Sequence, residues 1–235
     1  MMELLNEFLS GSVAWGVLLT LAAFALGALV NRVTGKAFFN PLLLGAIFVI
    51  VFLSVCGIPY ADYKVSAAPV NYLLLPATVA LAIPLYEKLD LLKANAAAII
   101  AGISVGTLVS LGNELELAQE LHLTHEQYSH ELPKSVTTAI SRDVAAELGG
   151  IAALTGAIGI LTGIVGNLLA ETVCKAFHIT DPIAKGVGIG TSAHAVGTSK
   201  ALQMGEVEGA MSGLSIAVAG VLTAVLCPVF VNLID

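Results

Sequence analysis

Charge is scarce in this chain. Only 11% of its 235 residues are charged, ten basic and seventeen acidic, where a soluble domain carries about 25%. A lipid-embedded protein accounts for the shortfall. The net charge of −7 supplies no basic face, which excludes nucleic acid as a partner. Cysteine is scarce too: Cys56, Cys174 and Cys227 lie far apart, in or beside apolar runs. That spacing makes neither a disulfide framework nor a metal site, and the three read as small buried hydrophobes. There is no Walker loop and no nucleophile–base pair at a telling spacing. The chain is therefore not expected to be an enzyme or an ATP-driven pump, and no cofactor is expected. A cleavable leader is not expected either. Residues 1–11 are polar and mildly acidic, and the first apolar run is too long for a signal core.

Long uncharged runs are what the chain has instead. Six reach spanning length: 12–31, 40–61, 65–86, 94–113, 148–170 and 209–234; a span needs roughly 17–25 residues. The expected fold is an all-α polytopic membrane protein of about six to eight membrane segments, one domain over 1–235. The longest polar stretch, 114–131, holds five glutamates, three histidines and no basic residue. Basic residues flank other spans, at Arg32/Lys36, Lys88/Lys93 and Lys175/Lys185. The positive-inside rule puts these loops in the cytoplasm and the acidic stretch outside. His122, His125 and His130 have only a loose metal-like spacing, and no metal site is expected.

One segment does not fit a plain span. Residues 186–200, GVGIGTSAHAVGTSK, carry no charge before Lys200 and are rich in glycine, serine and threonine. Irregular backbone at membrane depth survives only inside protein or beside a wet cavity, so this is a first guess for a solute site. Its counterpart is sought in LLLPATVALAIPLY (73–86), interrupted by Pro76 and Pro84. Paired interrupted segments point to a secondary transporter's midplane. The expectation is two related halves, about 12–113 and 129–234, whose broken or re-entrant helices meet there. An offset of 116 aligns Ala77 with Ala193, Val105 with Val221 and Thr107 with Thr223. Parallel and inverted relations of the halves both stay open. Recurrent glycine pairs (102/106, 159/163, 186/190, 209/213) mark close helix packing and suggest a homo-oligomer, a dimer.

Three groups of residues are candidates for holding a solute. The first is LPKSVTTAISRDV (132–144). On a helix opened by Pro133, Lys134, Ser135, Thr137, Thr138, Ser141 and Arg142 share about half the circumference. Such a face suits a carboxylate. An interfacial helix, with Asp143 and Glu147 pairing the cations, would suit the same pattern. The second group is Thr191, Ser192, His194, Gly197, Thr198 and Ser199, with glycines freeing amides for an anion nest and His194 able to carry a proton. Simple helix packing explains the same glycines. The third is Thr78, between the two prolines, where back-bonding to its own helix is the plain alternative.

NPLLLGAI (40–47), LLPATVALAIPLYE (74–87), LPKSVTTAI (132–140) with the following LGGIAALT, and GIGTSAHAVGTSKALQMGEVEGAMSGL (188–214) closely resemble the LrgB/CidB family over nearly the whole chain. The family pattern reads LPKSVTTPIA, and Ala139 stands where its proline is expected. The resemblance implies a bacterial inner-membrane protein described as holin- or antiholin-like and linked to murein hydrolase control and lysis. A similar domain occurs in the plastid glycolate/glycerate transporter. Bacterial relatives, acting with a small LrgA/CidA-type membrane partner, are tied to pyruvate and other small organic acids. The favoured expectation is a proton-linked secondary transporter of small monocarboxylates (glycolate, glycerate, pyruvate, lactate). The rival is a pore-forming or pore-regulating protein acting by assembly.

Overall fold

The computed structural model describes residues 12, 14–35, 39–80 and 82–234, apart from the side chains of Leu74, Leu75 and Thr78. Among them there is no strand. The helices are α1 (Ala14–Thr34), α2 (Pro41–Cys56), α3 (Tyr60–Ser66), α4 (Ala68–Tyr72), α5 (Leu74–Ala80), α6 (Ala82–Glu87), α7 (Leu89–Ala94), α8 (Ala96–Glu120), α9 (His125–Glu131), α10 (Thr138–Glu147), α11 (Ala152–Ala176), α12 (Pro182–Met204) and α13 (Glu206–Phe230). Four are long and apolar enough to cross a membrane: α1, α8, α11, and α13 continued to Leu233. They come from the runs at 12–31, 94–113, 148–170 and 209–234. Their outer faces carry large apolar side chains at helical spacing, such as Val221, Val225 and Val229, all more than half exposed; that face is dressed for lipid.

Two expected spans take other forms. The run 40–61 yields α2, 16 residues long, a rise of about 24 Å against a hydrocarbon core of about 30 Å. Asn40 caps its start through Leu42 N, and Gly57 ends it at φ 63°, a conformation that glycine adopts freely. The run 65–86 becomes a series of short helices, α3 to α6, two of which contain Pro76 and Pro84.

The chain divides into two compact units, Met1–Ala80 and Leu81–Asp235. The division falls inside the first of the two expected halves. In the first unit α1 and α2 run antiparallel. A Cβ on Gly27 would meet Pro41 O at 2.6 Å, and one on Gly45 would meet the Phe24 backbone, so both glycines permit the close approach. Thr20 Oγ1 and Tyr63 Oη bond at 2.8 Å and tie α3 to α1.

The second unit is built around two hairpins. Its α12 is interrupted at His194 (φ 41°, ψ −138°). A straight helix would set residues 186 and 202 about 24 Å apart. Instead Gly186 abuts Glu208 and Met211, while Leu202 abuts Gly209, the two sites neighbouring on the first turns of α13. Gly190 and Thr198 likewise both meet Ser212. The chain therefore reverses at His194: arm 182–193 advances and arm 195–204 returns. Asp181 caps the first arm through Ala184 N at 2.8 Å.

The other hairpin is α9, the non-helical segment 132–137 and α10. A capping box of Thr124 and Gln127 starts α9. The ends of both its helices meet at Gly150, which touches Ser129, His130 and Ala145. His130 Nδ1 accepts from Ile151 N at 2.9 Å, fixing this base to the start of α11. The base of the second hairpin lies toward the opposite end of α11, where Lys200 pairs with Glu171 at 2.9 Å. Thus the hairpins enter from opposite ends.

Candidate functional site

The two hairpin tips converge on Gly159, in the upper third of α11. His194 Nε2 donates to Gly159 O at 2.8 Å, since a carbonyl only accepts. On the other side, a Cβ at Gly159 would stand 3.6 Å from Lys134 O. Beside the tips, α8 and the first arm of α12 leave a cleft of about 310 Å³. Ser110 and Asn113 of α8, Ser135 of the first tip, and Thr191 and Ser192 of the second line it, with Gly102, Gly106 and Gly188 thinning its walls. A smaller void of about 10 Å³ continues past Thr107, Ser110, Ser135, Thr191 and Thr223, space for about one water.

Two hydroxyls here lack partners. Thr107 Oγ1 and Thr191 Oγ1 are buried without a hydrogen bond in the protein; the residues are 3% and 6% exposed. An unmet buried hydroxyl costs about 1–3 kcal/mol, and the small void that Thr107 and Thr191 both line is where a water could meet them. Ser110 Oγ and Ser135 Oγ bond to each other at 2.7 Å, closing the first tip against α8.

Lys134 adjoins Ser135 of the cleft lining in the same tip. It forms an ion pair with Glu114 Oε1; the side chains are 23% and 6% exposed. Helix α8 explains the placement of Glu114. Ile103, Thr107, Leu111, Glu114 and Ala118 are all buried, at spacings of four, four, three and four residues. They form one stripe turned into the protein. Tyr128 of α9 lies close to this charge, wholly buried. Burial pushes its phenol up to about 12.

The sequence-derived candidates divide. Ser135 and Ser192 line the cleft, although Ser192 also donates to Gly188 O at 2.7 Å. Lys134 stands in the tip. Residues 132–137 are not helical, so the expected helix from Pro133 with its polar face is replaced by a turn. Thr137 precedes α10 as its N-cap residue without a side-chain bond, and Thr138 opens the helix. His194 and Thr198 are structural at this point. Thr198 Oγ1 donates to His194 O at 2.9 Å and bonds Ser212 Oγ at 2.7 Å. Gly197 allows the arms to approach, a Cβ there meeting Ala193 at 2.5 Å. The glycines of 186–200 stay helical and open no amide nest; the break falls on His194 alone. Thr78's side chain lies outside the described residues.

Within the second unit, segment 132–137 faces the 186–200 segment across Gly159. Several glycines of the recurrent pairs pack within the chain. Gly102 and Gly106 meet Val187 and Thr191, Gly163 meets His194 and Val196, and Gly186 and Gly190 meet α13. Glu114, Thr107, Ser110, Asn113 and Thr223 complete the site beyond the expected set. A signal existed: Thr107, Ser110 and Glu114 recur at three and four residues on one helix. The offset-116 pair Thr107 and Thr223 also meets in the small void.

A wider cleft of about 560 Å³ lies at the base of the second hairpin. Its cations are already committed: Lys175 and Lys200 to Glu171, and Lys185 to Glu208.

The sequence matches the LrgB-like family over residues 20–233. It is 37% identical over 221 residues to the antiholin-like protein LrgB of Bacillus subtilis (strain 168), covering 94% of this chain and 96% of that relative. No solved structure matches.

Proposed function

We propose that this chain, which belongs to the LrgB-like family, is a secondary transporter of small monocarboxylates in the bacterial inner membrane. The observation that carries the reading is the pair of opposed hairpins whose tips meet beside a cleft lined by Ser110, Asn113, Ser135, Thr191 and Ser192. A pore lined by continuous helices has no use for such tips. Hairpins entering from opposite ends form two thin barriers on one site, an arrangement that suits alternating access. Opening one tip exposes the cleft to one side while the other stays shut.

The chemistry favours a small anion. Lys134 supplies a charge-assisted donor, and Ser110, Ser135, Thr107 and Thr191 supply hydroxyls. The cleft of about 310 Å³ lies at the lower end of ligand-site volumes, roughly 300–1,000 Å³. Glycolate, glycerate, pyruvate and lactate share that size and charge. A small LrgA/CidA-type membrane protein belongs to the same reading as a partner.

The antiholin-like name of the Bacillus subtilis relative favours a second reading, a pore-regulating protein that acts on lysis by assembly. Proteoliposomes separate the two. The transporter takes up labelled glycolate or pyruvate saturably and competably, and Thr191→Val weakens uptake by raising KM. Unsaturable leakage of unrelated solutes from the same vesicles overturns the transporter reading.

A further inference from the structure

Three hollows of the second unit share walls. The wide cleft at the base of the second hairpin has Cys174, Ile179 and Lys185 in common with a groove of about 210 Å³. That groove lies between α11 and the arm 182–193, and it shares Gly188 and Ser192 with the cleft at the tips. Ala184, Gly188 and Ser192 recur every four residues and are all exposed, so they form one open face of the arm. From Lys185 to Ser192 the helix rises about 10 Å. This face connects the base of the hairpin with its tip.

Two features of the face point to the same use. The first is charge at its foot. Glu171 holds both Lys175 and Lys200, and Glu208 holds Lys185. All five residues line the basal cleft. Three lysines against two carboxylates leave one positive charge there, although every lysine has a partner. A cleft of one sign concentrates ions of the other. Lys185 stands where cleft and groove join, and its pair is the longest of the three, 3.9 Å against 2.9 Å for the others. It is the cation freest to turn to an incoming carboxylate. Among the described residues it is also the one charge that lines the groove; Leu169, Val173 and Ile189 wall it further on, and nothing there holds an anion back. The second feature is Gly188. A Cβ on Gly186 or Gly190 would fall 2.5 or 2.4 Å from a carbonyl of α13, whereas one on Gly188 meets nothing within 4 Å. Glycine weakens a helix interior relative to alanine. At Gly188 the helix bears that penalty with no packing contact in return, at the point where groove and tip cleft meet.

We propose that the exposed face of the arm 182–193 is the path of the solute between the hairpin base and the tip cleft. Lys185 collects the carboxylate at its foot, and the bare backbone at Gly188 keeps it open. The proposal rests on the transport reading above and adds to it the route and two residues that govern entry.

The test is uptake of labelled glycolate or pyruvate into proteoliposomes. Gly188→Leu has room for its Cβ, so its unfolding temperature in detergent stays at or above that of the wild type. Its uptake falls about tenfold or more, the effect of a barrier raised by about 1.4 kcal/mol. A folded Gly188→Leu protein with the wild-type rate overturns the proposal. Lys185→Gln raises KM and leaves kcat unchanged, and Lys185→Arg restores KM. A Lys185→Gln protein with the wild-type KM removes Lys185 from the path. Labelling of Gly188→Cys supplies a readout that needs no transport, with the wild type as the reference for the native cysteines. An anionic, membrane-impermeant methanethiosulfonate is expected to modify Gly188→Cys, and glycolate to slow the reaction. Reaction with a lipid-soluble maleimide alone marks the face as a lipid groove and overturns the proposal. Wild-type vesicles that take up no carboxylate, in a protein whose Gly188→Cys form reacts with the anionic reagent, overturn the transport reading and leave the aqueous path standing.

Discussion

The reversal at His194 makes a sign prediction. A residue at φ 41°, ψ −138° occupies backbone space that glycine enters freely and an L side chain enters at a cost of about 1–3 kcal/mol. His194→Ala and His194→Gly both delete the imidazole. Both lose its bond to Gly159 O, worth about 1 kcal/mol, and both leave a cavity, since the residue is 2% exposed. Both variants therefore fall below the wild type. They differ in backbone alone. Within a regular helix alanine is better than glycine by about 1 kcal/mol. At a reversal of this geometry alanine keeps the strain and glycine loses it. Glycine still gives up about 0.4–1 kcal/mol through its freer unfolded chain. The balance favours His194→Gly over His194→Ala by roughly 1 kcal/mol, the opposite of the helical order. Thermal unfolding in detergent at one fixed scan rate reads it, at about 2–4 °C per kcal/mol for a chain of this size. An alanine variant as stable as the glycine variant, or more so, refutes the reversal at this residue.

Two neighbouring glycines should respond in opposite ways. A Cβ on Gly190 would fall 2.4 Å from Ser212 O, whereas one on Gly188 meets nothing within 4 Å. Gly190→Ala is expected to lower stability by about 1–3 kcal/mol through overpacking, and Gly188→Ala to leave it unchanged or raise it by up to about 1 kcal/mol; the same unfolding assay compares them. Tyr128 gives a pH dependence. Its folded pKa, about 12, lies above the ordinary tyrosine value near 10. The contribution is complete below pH ~10 and is lost as pH rises toward ~12. Tyr128→Phe should flatten that alkaline limb in unfolding measured from pH 8 to 12, and an unchanged limb refutes the assignment.

Much of the membrane character was legible because it depends on composition. The uncharged runs at 12–31, 94–113, 148–170 and 209–234 became α1, α8, α11 and α13 with ends displaced by a few residues. The 186–200 segment is irregular, yet for a different reason from its glycines. Gly186, Gly190 and Gly197 are helical and permit contact, while the break sits on a histidine. Glycine content reports that backbones approach closely; it does not say whether the chain also turns. The 132–137 segment carried an equally misleading cue. Pro133 suits a first helical turn, but Lys134 is drawn to Glu114 and Ser135 to Ser110, and these long-range bonds hold the segment as a tip.

By itself the sequence determined an all-helical membrane protein, its family, and the two segments where polar groups enter the membrane. Those follow from transfer energies and motifs, which are local properties of the chain. Only the tertiary structure decided that the two segments are tips of opposed hairpins facing each other across Gly159. It alone brought Thr107 to Thr191 and Glu114 to Lys134. The reason is physical: a buried hydroxyl or carboxylate is defined by what surrounds it, and those surroundings come from helices distant in sequence.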